Sequence, residues 1–393
     1  MKKVIVATDC HWGLMTDELN RDDEITEVMS YIFKYAVKVK ADYIVLNGDQ
    51  FHKNTPSERL IALFISVLNI ANKAGITVFV VVGNHEVIAK HKRKSCLSFI
   101  KKLKVSGYPN VTLVDDVKTV KLGPNAHATF FPFITKAHIP AEFKTVQEYV
   151  DAKAEALLKK LCILKHWPHY VFSHLNVPDC IPGTEENMLK KVEVMLPDSL
   201  RPTYLDKPDI IVINGHIHTR QQIKNVHIVG SPIFVGFGEK EEKKYFLEIH
   251  VPTEKDDRNA MIWHETPCKR LLEFNTALDK LSDSEKFMVA VEKELMTDKE
   301  LKNTILKVNL ELSENAIGFD HERLRSRLSG LCHFVKPIQP KIIRTHVKRN
   351  REQTAKLDPK DAVKLWLKTH KHPKAKTISE IAKGYIDNDG GGE

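Results

Sequence analysis

An uninterrupted apolar run meets a polar turn at residues 77–86, which have the sequence TVFVVVGNHE. A short run rich in β-branched residues predicts a buried parallel strand. This strand would deliver Asn84 and His85 to its carboxyl end, where buried polar groups need a partner. The segment therefore predicts an α/β fold with a ligand site beyond the end of this strand.

Four other apolar runs end in the same way. Each is followed by a carboxylate or an imidazole, groups that can bind metals or transfer protons. The runs are residues 4–7 (before Asp9 and His11), 43–46 (before Asp49), 170–172 (before His174) and 210–213 (before His216 and His218). Because open α/β sheets collect ligands at the carboxyl ends of their strands, we expect one crevice to gather all five ends.

The side chains at these ends form a mixed set of oxygen and nitrogen ligands: Asp9, His11, Asp49, Asn84, His174, His216 and His218. Such a set suits Mn²⁺, Fe²⁺ or Zn²⁺ better than Mg²⁺ or Ca²⁺. It is too large for one ion with open positions, and it matches two ions that share a carboxylate. Two such ions can activate water for an in-line phosphoryl displacement. Each motif alone has an ordinary explanation as a polar cap or a surface histidine, but all five in this order are improbable by chance.

Two helices are predicted between the first strands. Residues 22–38 carry apolar side chains at helical spacing, and residues 57–73 are apolar on nearly all sides. A helix of the second kind packs against the sheet and needs a further cover. That cover could come from the same chain or from a partner subunit.

The character of the chain changes after Pro252. Residues 253–258 are charged and typical of a linker, and residues 255–335 predict a small α+β unit. This unit would contain a helix at 282–296, with Ser282 and Glu285 as a capping box, and a half-buried strand at 305–312.

The last part of the chain is strongly basic. Residues 336–376 contain 13 Lys and Arg against 3 Asp and Glu, a net charge of +10, whereas the whole chain carries +9. Such a segment suits a polyanion or an acidic protein surface, and a solvated tail is the alternative. Asp358-Pro359 predicts a helix start, with the helix running through Trp366 and Leu367 to about Thr369.

Cysteine usage and hydropathy indicate the compartment. The six cysteines form no CxxC pair, which argues against a disulfide framework. The longest apolar run is far shorter than the roughly 20 residues that cross a bilayer, and the N-terminus lacks the apolar core of a signal peptide. We expect a cytoplasmic protein without a membrane span.

The order of motifs, D-x-H, G-D-x-x-H, G-N-H-E, H and G-H-x-H, resembles the calcineurin-like metallophosphoesterase superfamily. More narrowly, it resembles the SbcD/Mre-type DNA repair nuclease subunits. The second motif, residues 48–52 (GDQFH), and the later stretches 229–232 (VGSP) and 237–240 (FGEK) are similar to that family. The resemblance covers about residues 1–250, is positional for 255–335 and is compositional beyond 336. Residues 175–187 match no family pattern.

The resemblance implies a fold and a site. The fold would be a calcineurin-like αββα sandwich at 1–252, a small α+β cap at 255–335 and a helical, basic tail at 336–393. Asp9, His11, Asp49 and His218 would hold a first ion, and Asn84, His174 and His216 would join the bridging Asp49 at a second. The ions are usually Mn²⁺ in this family. His85 would orient the phosphate or protonate the leaving oxygen, with His52 assisting it.

The implied function is cleavage of DNA ends, by exonuclease and endonuclease activity, in double-strand-break repair or recombination. The implied partners are DNA, a second copy of the chain and an SbcC-type coiled-coil ATPase that the tail would dock, with Trp366 and Leu367 as anchors. The location would be the nucleoid, the nucleus of a eukaryote or the host cytoplasm of a virus. Two alternatives remain: a metallophosphoesterase for small phosphate esters, and a DNA-end scaffold with a vestigial nuclease. The cap and basic tail count against the first alternative, and the complete ligand set counts against the second.

Overall fold

A computed structural model describes residues 1–88, 95–124, 126–161, 168–182, 194–201, 210–239, 243–254 and 259–344, with residues 363, 367 and 377–381. Helices α1 to α4 are Asp22–Lys38, Glu58–Lys73, Ile100–Leu103 and Val146–Leu161, and two later helices are Ser284–Leu295 and His321–Ser329. Strands β1 to β18 are, in chain order, Lys2–Ala7, Met15–Thr16, Leu19–Asn20, Tyr43–Asn47, Thr77–Val81, Val111–Val114, Lys118–Lys121, His127–Phe131, His169–Ser173, Ile210–Asn214, Gln221–Ile223, Val226–Ile228, Tyr245–Val251, Ala260–Glu265, Arg270–Leu278, Thr304–Ser313, Phe334–Val335 and Lys341–Ile343.

Two sheets of mainly parallel strands form the first part of the molecule. In the described residues, one sheet has the order β14-β13-β1-β4-β5-β6 and the other β11-β12-β10-β9-β8-β7. Strands β1, β4, β5 and β6 run parallel in the first sheet, and β8, β9, β10 and β12 run parallel in the second. The five strands predicted to end in ligands are therefore divided three to two between two sheets, and their carboxyl ends meet where the sheets face each other.

The alternation of side chains along the strands explains the layers. In β1, Ile5 and Ala7 join the apolar cluster beneath α1 and α2, whereas Val4 and Val6 join the cluster between the two sheets. Successive residues of a strand point to opposite faces, so one continuous apolar run serves two cores. The outer face of the second sheet packs against α4. The result is the predicted αββα sandwich.

The two predicted helices are confirmed. Helix α1 has the predicted limits, and α2 begins one residue later than predicted, because Ser57 is its N-cap and accepts the backbone N–H of Leu60. Residues Phe64, Val67 and Leu68 of α2 are buried, while its other large apolar side chains are partly exposed. Helix α1 packs beside α2 and supplies part of the further cover. A partner subunit as the remainder of that cover stays a prediction.

The small α+β unit has its own sheet and core. Strand β16 pairs in parallel with β15 on one side and with β17 and β18 on the other. Helix Ser284–Leu295 makes the crossover that parallel β15 and β16 require. The predicted capping box is wrong, because Ser282 lies in a preceding 3₁₀ turn and Asp283 is the N-cap without a side-chain bond.

The boundary of this unit differs from the expected one in one respect. Strand β14 lies beyond residue 252, yet it pairs with β13 and extends the first sheet to Glu265. The division of the chain into three domains otherwise stays a prediction. In the tail, Val363, Leu367 and residues 377–381 are helical, and Trp366 with most of the basic segment lies outside the described residues.

Polar contacts join the small unit to the β2–β3 hairpin and to α1. Arg325 Nη2 lies 2.8 Å from Glu18 Oε2, and Lys336 Nζ lies 3.0 Å from Asp17 Oδ2. The backbone N–H of Lys269 donates to Glu24 Oε1 at 2.7 Å. The small unit is therefore attached a few residues after His11, close in sequence to the predicted site.

Candidate metal centre

All seven predicted ligands lie just beyond the carboxyl ends of strands, as the sequence indicated. Asp9 and His11 follow β1, Asp49 follows β4, Asn84 follows β5, His174 follows β9, and His216 and His218 follow β10. Six of them are buried, with at most 4% of the residue exposed, and Asn84 is half-buried. Polar groups buried to this degree require partners, which makes the cluster a functional candidate.

The first group of ligands consists of Asp9, His11 and His218. Their potential ligand atoms all lie within 4.8 Å of one another. His11 Nε2 and His218 Nε2 are 3.0 Å apart. Two nitrogens bound at about 2.1 Å to one divalent ion, at right angles to each other, stand about 3 Å apart. The spacing of this group therefore fits one ion.

The second group consists of Asp49, His174 and His216, whose ligand atoms again lie within 4.8 Å of one another. His174 Nε2 lies 3.2 Å from Asp49 Oδ2 and 3.2 Å from Asn84 Oδ1, and His216 Nδ1 lies 2.9 Å from that same oxygen. Asn84 thus belongs with this group. The two groups adjoin each other, since His174 Nε2 also lies 3.8 Å from Asp9 Oδ1.

The electrostatics of the cluster favour a cation. Burial holds the pKa of His11 well below its ordinary value, and burial together with His174 lowers the pKa of His216 to about 3. The lowered pKa values favour neutral rings, which is the form that binds a metal ion. Burial also opposes protonation of His174, but Asp49 and Asp9 outweigh it and raise its pKa to about 10. The carboxylates therefore demand positive charge here, and a divalent ion would replace the proton.

The backbone at the strand ends is unusual. Asp9, His11, Asp49 and His216 all have a positive φ, between 52° and 72°. Side-chain-bearing residues rarely adopt this left-handed conformation, and they keep it only where the surrounding structure compels it. Four of the seven predicted ligands share this strain, which is typical of functional sites.

Close approach explains the glycines next to the ligands. A Cβ atom at Gly83 would lie 2.1 Å from Asp49 Oδ1, and one at Gly48 would lie 2.0 Å from His174 Nδ1. Such distances leave no room for a methyl group. The glycines of the second and third motifs therefore allow the ligand-bearing loops to pack directly against each other.

The predicted catalytic histidines lie beside the first group. His85 Nδ1 donates to the backbone carbonyl of His52 at 2.7 Å, so its Nε2 turns toward the site and lies 3.9 Å from Asp49 Oδ2. The ring centroids of His52 and His85 are 5.5 Å apart, and the ring of His11 lies 4.8 Å from that of His85. Both side chains are only partly buried and can reach a substrate.

Two buried carboxylates support the ligands, and neither was predicted. Glu86 accepts backbone N–H bonds from Gly83, Asp49 and Phe51, which joins the second and third motifs. Glu239 Oε1 lies 3.6 Å from His218 Nδ1, and its other oxygen accepts a 2.5 Å hydrogen bond from buried Lys244. Each of the two residues stands in a stretch that resembles the family, which is a sequence signal. That resemblance does not indicate which group the carboxylate contacts.

The architecture and the cluster together define a metallophosphoesterase. The profile of the calcineurin-like phosphoesterase family matches residues 2–220, more than half of the chain, so the chain belongs to that family. The family consists of hydrolases that use divalent metal ions, and the two groups of ligands described above provide for them.

More specific relatives match over a short stretch. The double-strand break repair protein MRE11 of Oryza sativa subsp. indica is 42% identical over 67 residues, which is 17% of this chain and 9% of that protein. The human MRE11 protein is 33% identical over 66 residues, with the same shares. The Mre11 protein of Archaeoglobus fulgidus is 36% identical over 66 residues, 17% of this chain and 15% of its own length. The aligned stretch is thus a small part of each relative.

Among solved structures, a dimetal phosphatase from Danio rerio aligns with this protein. The alignment covers 67% of this chain and 96% of the phosphatase chain, with a TM-score of 0.43 and 14% sequence identity.

In the described part of this chain, no helix has the length and apolar character needed to cross a membrane.

Proposed function

We propose that the protein is a Mn²⁺-dependent, two-metal DNA nuclease that acts at DNA ends in double-strand-break repair or recombination. The observation that supports it best is the junction of the two sheets. There, two adjoining groups of buried ligands lie next to His85, the one imidazole of the G-N-H-E motif. The similarity to the MRE11 proteins favours DNA as the substrate.

Two ions are proposed because the predicted ligands separate into two of three clusters of potential ligand atoms. The third cluster joins His11 to the predicted catalytic residues His52 and His85. Asp9, His11 and His218 would hold one ion, and Asn84, His174 and His216 the other, with Asp49 shared between them. Mn²⁺ accepts the mixed carboxylate, amide and imidazole set. When bound, a pair of divalent ions lowers the pKa of water and neutralises the charge of a phosphodiester.

The chain's own residues would orient the phosphate and supply a proton. His85 is oriented by its Nδ1–H bond to the carbonyl of His52, which leaves Nε2 to face the site. Histidine is the side chain that most often serves as a general acid, so His85 would protonate the leaving oxygen. His52 would assist by contacting the phosphate.

A long polymeric substrate is favoured by features outside the cluster. The small unit is attached to the β2–β3 hairpin, close in sequence to His11, and could contact a duplex that enters the site. Residues 336–376, with a net charge of +10, would bind phosphates or an acidic partner. By its similarity to the SbcD/Mre-type subunits, the protein would act as a homodimer with an SbcC-type ATPase.

The test is cleavage of end-labelled linear duplex and hairpin DNA by the full chain across a series of divalent metals. A panel of small phosphate esters is run in parallel, and His85→Ala serves as the control. Mn²⁺-dependent DNA cleavage that His85→Ala abolishes supports the proposal. Hydrolysis of the small esters alone would favour the simpler phosphoesterase, and DNA binding without cleavage would favour a scaffold.

A further inference from the structure

The ring of His216 lies between two side-chain amides. Its Nδ1 is 2.9 Å from Asn84 Oδ1, within the second ligand group, and its Nε2 is 2.9 Å from Asn176 Oδ1 on the opposite side. Asn176 and His216 are each only 4% exposed. Asn176 lies in the segment after β9, two residues beyond the predicted ligand His174.

The orientation of the Asn176 amide is set by its other neighbour. Asn176 Nδ2 donates to the backbone carbonyl of Val194 at 3.0 Å. A carbonyl oxygen can only accept, so the NH₂ group must face Val194 and Oδ1 must face His216. Because an amide oxygen also only accepts, the contact of His216 Nε2 with Asn176 Oδ1 requires a proton on Nε2. The 2.9 Å between Nδ1 and Asn84 Oδ1 is instead the spacing expected of two ligand atoms on one divalent ion. Nδ1 then presents its lone pair to the ligand group.

The same logic appears at other rings, but with backbone partners. His174 Nδ1 donates to the carbonyl of Asn47 at 2.7 Å, and His85 Nδ1 donates to that of His52. Partners of this kind fix the tautomer of a ligating histidine and its orientation. His216, like His218 beside Glu239, differs from these two rings because its partner is a side chain, which can be replaced.

We propose that Asn176 is a positioning residue that holds His216 in its Nε2–H tautomer, so that Nδ1 is the ligand atom for one of the two metal ions. The proposal rests on the metal centre of the proposed function and deepens it. Asn176 touches neither substrate nor reacting atoms, and it acts only through His216.

A purely structural role for Asn176 makes a different prediction. Its backbone carbonyl accepts from Leu196 N at 2.7 Å, and its Nδ2 bonds Val194, so it also tethers residues 194–196. Asn176→Asp keeps an oxygen acceptor for His216 but loses the donor to Val194. Asn176→Leu loses both. The two roles are separated because only the tautomer role survives in the Asp variant.

Asn225 provides matched controls. It is 1% exposed, and its Nδ2 donates to the backbone carbonyls of Leu200 and Ile210 at 3.0 and 3.1 Å. Asn225→Leu and Asn225→Asp therefore remove buried hydrogen bonds from a side-chain amide to backbone carbonyls, as the Asn176 variants do. They do not remove a partner of His216.

The experiment is calorimetric titration of the metal-stripped full chain with Mn²⁺. We expect Asn176→Leu to weaken one of the two Mn²⁺-binding steps by about 10- to 100-fold. The Mn²⁺ affinities of Asn176→Asp and of both Asn225 variants should stay within about threefold of that of the unaltered chain, well below that loss. Unaltered affinity in Asn176→Leu, or equal losses in Asn176→Asp and Asn176→Leu, would overturn the proposal.

A second measurement does not depend on the folding of the Asn176 variants. In ¹⁵N-histidine NMR of the unaltered, metal-stripped chain, we expect the His216 signals, identified by their loss in His216→Gln, to show protonated Nε2 and bare Nδ1. The opposite tautomer would overturn the proposal. A chain that binds Mn²⁺ in this way yet cleaves no DNA would refute the proposed function alone, whereas a chain that binds no Mn²⁺ would refute both.

Discussion

The carboxylate of Asp9 accepts the backbone N–H of His216, with N···O distances of 3.0 and 3.1 Å to its two oxygens. These residues are 207 positions apart and follow strands of different sheets. One predicted ligand therefore holds the backbone of another. The hydrogen bond that joins the ends of the two sheets lies within the candidate metal centre.

Asp9→Asn and Asp9→Ala should separate these two roles. Both variants lose the negative charge of the carboxylate. We therefore expect the affinity for Mn²⁺ to fall at least about tenfold in each, which is the usual effect of removing a group that supports a metal site. Only Asn keeps an oxygen that accepts the backbone N–H of His216. In the presence of a chelator, the free energy of unfolding of Asp9→Ala should therefore be about 1–3 kcal/mol lower than that of Asp9→Asn. Urea denaturation measures this difference, and equal stability of the two variants would mean that the tether contributes nothing.

His85→Ala should remove catalysis and leave the metals in place. The backbone N–H of His85, which donates to Asp49 Oδ1 at 2.9 Å, is unchanged by the substitution. We expect DNA cleavage to fall by about 10²- to 10⁴-fold, the usual contribution of a general acid, with Mn²⁺ affinity retained in calorimetry. Loss of Mn²⁺ binding in this variant would instead make His85 a ligand.

Gly83→Ala tests the close approach of the two loops. The new methyl group would meet the Asp49 carboxylate at 2.1 Å and the Asp49 backbone N at 2.4 Å, so one loop must move. We expect a loss of about 1–3 kcal/mol in the free energy of unfolding, together with weaker Mn²⁺ binding. Gly330→Ala is the control, since its nearest contact would be 3.7 Å away and its φ is negative. Similar losses in both variants would contradict the packing argument.

Two neighbouring lysines should differ greatly in their effect on stability. Lys244 is buried with Glu239, and its loss would leave that buried carboxylate without its ammonium partner, whereas Lys243 pairs with Glu265 in solvent. We expect Lys244→Met to cost about 3–5 kcal/mol and Lys243→Met to leave the stability nearly unchanged, because water screens an exposed pair. Chemical denaturation of both variants gives the comparison, and equal effects would show that the buried pair is not structurally important.

Acid should weaken the fold through Glu248. Burial opposes the charge of this carboxylate, but hydrogen bonds from Tyr35, His250 and His264 outweigh burial and lower its pKa. A lowered pKa stabilises the fold above the unfolded value of about 4.3, and this contribution disappears as pH falls through the folded-state pKa. In chelator, the unfolding free energy should therefore decrease below about pH 5. Glu248→Gln should flatten that slope, and an unchanged slope would exclude Glu248 as its source.

The sandwich and the clustering of the candidate ligands were predictable because these residues closely follow apolar runs. The buried pattern of β1, β4, β5, β9 and β10 is local, and so is the position of the polar residue after each strand. What this pattern does not contain is the division of the strands between two sheets. That division depends on pairing between residues far apart, such as Asn214 with Ser173, and not on any one strand's composition.

The supporting residues could not be predicted for the same reason. Asn176 meets His216 across 40 positions, and Glu86 meets Phe51 across 35. Nothing in the local sequence of either residue distinguishes a partner of a ligand from an ordinary loop residue. The failed capping box at Ser282 shows the converse, because a correct local pattern was overridden by a 3₁₀ turn that shifted the helix start.

The left-handed backbone at Asp9, His11, Asp49 and His216 has a consequence for how ions would enter. Residues in this conformation are strained, and they keep it only where the surrounding fold holds them in place. The conformational entropy of ordering these ligand-bearing loops would thus be lost when the chain folds and not when an ion binds. Cations would arrive at a preorganised receptor, and capture would require little rearrangement of the main chain.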